Sequence, residues 1–163
     1  MYNQKIKSPC GSICVTADDN GITAVRFIEP RFLGQTSCDL APSDLAPSEL
    51  TQEACQQLQA YFAGKLQRFD LPLSMQGTPF QQQVWRALSE VEFGTTASYG
   101  IIAQKVGRPK GARAVGMANG RNPIAIVVPC HRIIGSNGRL TGYAGGMQRK
   151  AYLLNLEGVP VTA

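Results

Sequence analysis

Histidine is almost missing from this chain: His131 is the one imidazole in 163 residues. That scarcity removes any zinc pattern built on several imidazoles, since a tetrahedral structural site needs four ligands. Cysteine does not make up the shortage. The five cysteines (Cys10, Cys14, Cys38, Cys55 and Cys130) are odd in number and lack framework spacing, which argues against a disulfide-stapled secreted domain. Cys10 and Cys14 are the nearest pair, but no second pair follows. These two, with Cys38 and Cys55, read as ordinary thiols in or near the core, and no metal or cofactor is expected. No apolar run approaches the roughly 18 residues that a membrane span requires. The opening MYNQKIKSPC lacks the apolar stretch of a signal peptide, so a cytoplasmic protein without membrane contact is the expectation.

Negative charge is scarce in one half. From residue 101 onward nine Lys and Arg (Lys105, Arg108, Lys110, Arg113, Arg121, Arg132, Arg139, Arg149 and Lys150) face a single acid, Glu157. The net +8 there leaves −3 for residues 1–100. A half that meets a polyanion has this asymmetry, and so does a solvated basic surface without a partner. Length and a hydrophobic content of 44% suit one compact domain, or one domain with a small appendage.

What is present divides into short elements. Residues 1–35 read as strands, with GSICVTA and ITAVRFIE flanking Asp18-Asp19-Asn20-Gly21. Its Asn-Gly predicts a hairpin, because both residues tolerate positive φ. DLAPS then occurs twice in tandem (residues 39–43 and 44–48), as an exposed connector. Residues 49–63 read as an amphipathic helix with Leu50, Ala54, Leu58 and Tyr61/Phe62 on one side and Gly64 as its stop. Thr78-Pro79 starts another helix, whose Phe80, Val84, Trp85 and Leu88 share a core face. Ser98 can cap YGIIAQKV, and a turn through Arg108-Pro109-Lys110 leads into GARAVGMANG (residues 111–120), a helix-turn-helix pattern.

The second of those helices is nearly free of side chains at Gly111, Ala112, Ala114, Gly116 and Ala118, with Arg113 standing among them. Small residues let another backbone come close. That neighbour is either a nucleic-acid groove, with Arg113 reaching in, or a packed helix. After Asn122-Pro123, the run IAIVV (residues 124–128) reads as a buried strand leading into Pro129-Cys130-His131-Arg132. A Gly-rich loop (residues 135–146) precedes the last helix, which carries Glu157 near its C-terminus. The helix dipole disfavours a carboxylate there, so Glu157 either has a partner or sits frayed in solvent.

The chemistry follows from scarcity. A cysteine is nucleophilic as thiolate, and a free thiol with a pKa near 8.5 supplies little of it at neutral pH. A base oriented by a carboxylate corrects this. Only His131 can be that base, and only Glu157 in the basic half can orient it. Because His131 adjoins Cys130, its ring is expected to turn away from the sulfur, with a bridging water completing Glu157–His131–water–Cys130.

PCHR in this setting resembles the active-site motif of O6-alkylguanine-DNA alkyltransferases. The likeness extends through SY (98–99), GARAVG (111–116), NP (122–123), VVPCHRI (127–133), GYAGG (142–146) and LLNLEG (153–158), in matching order and spacing. The resemblance implies Cys130 as alkyl acceptor, His131 as water-mediated base and Glu157 as its orienting partner. It implies that Tyr99 crowds the target phosphate and hydrogen-bonds guanine N3. Arg113 would fill the stack where the base is extruded, and Asn122 would be the hinge between recognition helix and active-site strand. Ala112, Ala114, Gly116 and Arg121 would face DNA, while Ile133, Tyr143 and Ala144 would line the base pocket. Relatives that hold structural zinc use Cys and His together, which a chain with one His cannot match. Ala144 stands where some relatives have Ser.

The resemblance therefore implies an α+β fold: a small ribonuclease-H-like N-terminal α/β domain (residues 1–70), a linker (71–77), and a mostly helical domain with a helix-turn-helix (78–163). It implies single-turnover repair of alkylated double-stranded DNA by base flipping, by a monomer with no obligate protein partner. A cysteine hydrolase using the same Cys and His, or a non-catalytic DNA-binding module, are the alternatives.

Overall fold

A computed structural model describes residues 1–28, 46–143 and 145–161. The strand reading for residues 29–35, Cys38, the DLAPS repeat as far as residue 45, and Ala144 lie outside the described residues. The chain forms two compact units, Met1–Met75 and Gln76–Ala163.

In the first unit, β1 (Tyr2–Ser8), β2 (Gly11–Ala17) and β3 (Ile22–Phe27) make an antiparallel sheet in the order β1-β2-β3. The helix α1 (Glu49–Phe62) packs on the sheet. Ile13, Val15 and Ala17 on the central strand and Ala54, Leu58 and Tyr61 on α1 are all buried. Ser48 starts α1 because its hydroxyl accepts from Thr51 N–H at 3.1 Å while the Thr51 hydroxyl accepts from Ser48 N–H at 2.8 Å.

The β2–β3 turn forms for a different reason than Asn-Gly suggests. Neither Asn20 nor Gly21 takes a positive φ. Instead the Asp18 carboxylate accepts from Asn20 N–H at 2.7 Å and Gly21 N–H at 2.9 Å, closing the turn from its own side chain. Gly21 is needed for space, since a Cβ there would lie 2.7 Å from the Pro72 carbonyl oxygen. Ile22 N–H donates to that oxygen at 2.8 Å, and Ser74 N–H donates to Ile22 O at 2.8 Å. Residues 72–74 are thus bonded into the first unit.

The second unit is built on α2 (Pro79–Ser89), α3 (Tyr99–Lys105), α4 (Ala112–Gly120) and α5 (Met147–Leu156). Thr78 caps α2, accepting from Gln81 N–H at 3.1 Å, and Pro79 occupies the first position. Trp85 is buried and donates from Nε1 to Ala118 O at 2.9 Å, which ties α2 to α4. Ser98 caps α3, and a turn over residues 106–111 delivers the chain to α4. The parallel pair β4 (Ala97–Ser98) and β5 (Ile133–Ile134) places Tyr99 and the segment after Cys130 side by side.

One expectation is corrected here. IAIVV is buried at Ile124, Ile126 and Val128 but is not a strand. It coils. Val127 N–H donates to Ala125 O at 2.8 Å around Ile126, whose φ of 70° is rare for a β-branched residue. Cys130 N–H then donates to Val128 O at 2.8 Å across Pro129, and Cys130–Arg132 form one 3-10 turn. An apolar run has no periodicity to separate a strand from such a coil.

Candidate active site

Asn122 organises this coil. Its amide donates to Val128 O at 2.8 Å and Ile124 O at 3.3 Å, and its carbonyl oxygen accepts from Ile124 N–H at 3.0 Å. The bonds satisfy backbone groups that a strand would have paired with a neighbour. Holding Ile126 in the left-handed region costs on the order of 1–3 kcal/mol, which this frame offsets. The result presents Cys130 from a fixed backbone, 5% exposed.

His131 is fully buried, and its Nε2 lies 2.7 Å from Glu157 Oε2. A carboxylate accepts only, so Nε2 carries the hydrogen and the neutral ring keeps its lone pair on Nδ1. Nδ1 makes no hydrogen bond to any described residue. Glu157 is held from a second side: Arg132 donates from Nε to Oε1 at 2.7 Å and from Nη2 to Oε2 at 3.0 Å. Arg132 Nη1 also reaches Val91 O at 2.6 Å, and the guanidinium lies over the Phe93 ring, 5.9 Å from its centroid. The carboxylate at the end of α5 is thus offset by two neighbours from the Cys130 turn.

Burial sets the resting protonation. It pushes the His131 pKa below its ordinary value; Glu157 opposes this without prevailing, and Arg132 adds to the lowering. Burial also pushes the Cys130 thiol up, while the Asn122 amide and the Lys150 charge pull it down. A neutral thiol beside a neutral imidazole can transfer a proton when the reaction demands it. That is general-base chemistry.

Lys150 is the residue that sequence reasoning missed. It is fully buried, donates to Ile133 O and to Thr141 O at 2.8 Å, and has its pKa lowered to about 8 by burial, with Cys130 as the opposing influence. One signal was available: Lys150 stands at helical spacing from the buried Leu153, Leu154 and Glu157, a lysine on an apolar face. Arg132 was likewise read only as charge. Both cations belong to the interior and not to the basic surface.

Tyr99 is half-buried, with its hydroxyl 2.7 Å from Thr141 Oγ1. A Cβ at Gly116 would lie 3.7 Å from the Tyr99 ring, so α4 and Tyr99 are neighbours. Along α4, Arg113 and Ala114 are exposed, Ala112 and Gly116 are half-buried, and Arg121 follows exposed. Ile133 is buried and Tyr143 half-buried. No three His, Cys, Asp or Glu among the described residues are grouped to hold a metal. Cys10 and Cys55 are buried thiols, whereas Cys14 is disulfide-bonded, so its reading as a plain thiol is corrected. Spacing along the chain cannot reveal a pairing that folding creates.

Two family models match. Residues 1–75 match the ribonuclease-like domain of 6-O-methylguanine DNA methyltransferase, and residues 79–159 match its DNA binding domain. A methylated-DNA–protein-cysteine methyltransferase of Methanosarcina acetivorans is 49% identical over 97% of this chain and 99% of its own. The crystal structure of Mycobacterium tuberculosis OGT in complex with DNA superimposes with a TM-score of 0.84 at 45% identity, covering 96% of this chain and 92% of that one. The O6-methylguanine-DNA methyltransferase of Pyrococcus kodakaraensis does so with a TM-score of 0.71 at 27% identity, over 97% and 99% of the two chains.

Proposed function

The chain belongs to the 6-O-methylguanine DNA methyltransferase family, and we propose that it reverses alkylation of guanine in DNA by moving the alkyl group onto Cys130. The observation that carries this reading is Cys130, the one cysteine of the second unit, next to a neutral His131 fixed by Glu157. A water bridging Nδ1 and the thiol would let His131 take the proton as the sulfur attacks the alkyl carbon in line. The C–O6 bond breaks, its electron pair goes to the purine, and Tyr99 supplies a proton to N3. Thioether and guanine are the products.

A base edge inside a duplex cannot reach the sulfur of Cys130, a residue only 5% exposed. The nucleotide must therefore rotate out, at a few kcal/mol. The pair α3–α4 serves as a helix-turn-helix on the minor groove, with Arg113 filling the gap left in the stack and Ala112, Ala114 and Gly116 permitting close approach. Arg121, Lys110 and Arg108 neutralise phosphates without regard to sequence. Ile133 and Tyr143 surround the extruded base. The protein works as a cytoplasmic monomer whose separate first domain runs through residues 72–74, past the 1–70 read from the sequence. A hydrolase reading is not favoured, since the similar proteins are methylated-DNA–protein-cysteine methyltransferases. Intact mass spectrometry after mixing with an O6-methylguanine oligonucleotide tests the reading: one methyl, mapped to Cys130, is expected, and an unmodified chain or a methyl elsewhere contradicts it.

A further inference from the structure

We propose that Thr141 is a positioning residue for the transfer, its hydroxyl donating to the Tyr99 oxygen as Tyr99 gives its proton to the leaving guanine. The proposal rests on the function just argued, in which Tyr99 faces guanine N3. Thr141 Oγ1 is 2.7 Å from the Tyr99 hydroxyl oxygen, and either can donate in the resting protein. During transfer the direction is forced. Tyr99 has one hydrogen, which goes to N3, so its oxygen must accept from Thr141 while negative charge develops on it. A hydrogen bond to a charged group is stronger than one between neutral groups, so the bond strengthens on the way to the transition state. The tyrosine later regains a proton from solvent, which receives the one His131 took from the thiol, and charge balances.

Thr141 is fixed for this task. Lys150 Nζ holds its carbonyl at 2.8 Å and also holds Ile133 O, which ties the loop to the segment after Cys130. Gly135 N–H donates to Arg139 O at 2.9 Å and closes the loop base. The hydroxyl, with its backbone pinned, therefore meets Tyr99 without a search.

The test compares Thr141→Val with Thr141→Ser. The valine variant should transfer methyl from an O6-methylguanine duplex roughly two- to thirtyfold more slowly, and serine should restore most of the rate. Binding of the same duplex, measured with Cys130→Ala added, should not change in either. With a free O6-benzylguanine carrying an electron-withdrawing C8 group, whose base leaves without help, the valine deficit should shrink. In a Tyr99→Phe background it should vanish. Wild-type rates in the valine variant, equal losses for valine and serine, or a deficit indifferent to leaving group or to Tyr99 would overturn the proposal. If valine prevents folding, Thr141→Ala in the same cycle with Tyr99→Phe decides in the same way. Failure of the wild type to alkylate Cys130 would instead count against the function itself.

Discussion

His131 sits between opposed influences, and burial prevails: its pKa lies below the ordinary 6.5. The base must be neutral to accept the thiol proton, so transfer should hold steady as pH falls to 6.5 and decline only below it. A single-turnover rate profile checks this, and a half-maximal rate above pH 6.5 would contradict it. The linkage has the same sign. An unfolded chain binds a proton at the ordinary value and the folded one resists, so this contribution to stability is present above about pH 6.5 and is lost as pH falls. Arg132 extends the argument. Arg132→Met leaves Glu157 with one partner in a dry site, where breaking a buried pair costs about 3–5 kcal/mol. A chemical denaturation midpoint should fall accordingly, and an unchanged midpoint would mean that the pair is not closed in solution. Cys130, His131 and Glu157 could be singled out in the sequence because each is scarce in its half. Arg132 carried no such mark and Lys150 only its place on the apolar face of α5, because their backbone acceptors (Val91 O, Ile133 O and Thr141 O) are supplied only by the folded chain.

Elements with polar punctuation were readable, and elements made of apolar residues alone were not. Ser48, Thr78 and Ser98 each cap a helix with a bond that their side chains make locally. IAIVV carries no such marks, and a side chain outside it, Asn122, decides its shape. The β2–β3 turn shows a finer failure: Asp18 outcompetes the Asn-Gly pair by accepting two N–H groups. Gly21→Ala should therefore destabilise the first unit by about 1–3 kcal/mol through collision with Pro72, not through φ. A thermal melt checks it, and an unchanged melting temperature refutes the close approach. On α4, Arg113→Ala should slow repair of duplex DNA by about tenfold or more, because extrusion costs a few kcal/mol that a free base avoids. Reaction with free O6-alkylguanine should be nearly unaffected. Equal losses on both substrates would exclude Arg113 from extrusion.

For the molecule as a whole, charge and turnover are the testable properties. Nine cations against one acid overstate the surface field, since Arg132 and Lys150 are buried. Each phosphate neutralised contributes about 0.9 to the slope of log affinity against log salt, so the remaining seven cations limit that slope to about −6. A steeper slope would require basic residues from the first 100. The fate of the sulfur is the central claim. A thioether offers water no electrophilic carbonyl and no good leaving group, so hydrolysis cannot regenerate the Cys130 thiol. The most direct test is a titration of excess O6-methylguanine duplex against a known amount of active protein. Repaired guanine should rise to one equivalent per Cys130 and stop there, with the methyl on that residue. A continuing linear rise, or one equivalent reached after Cys130→Ala, would contradict the account.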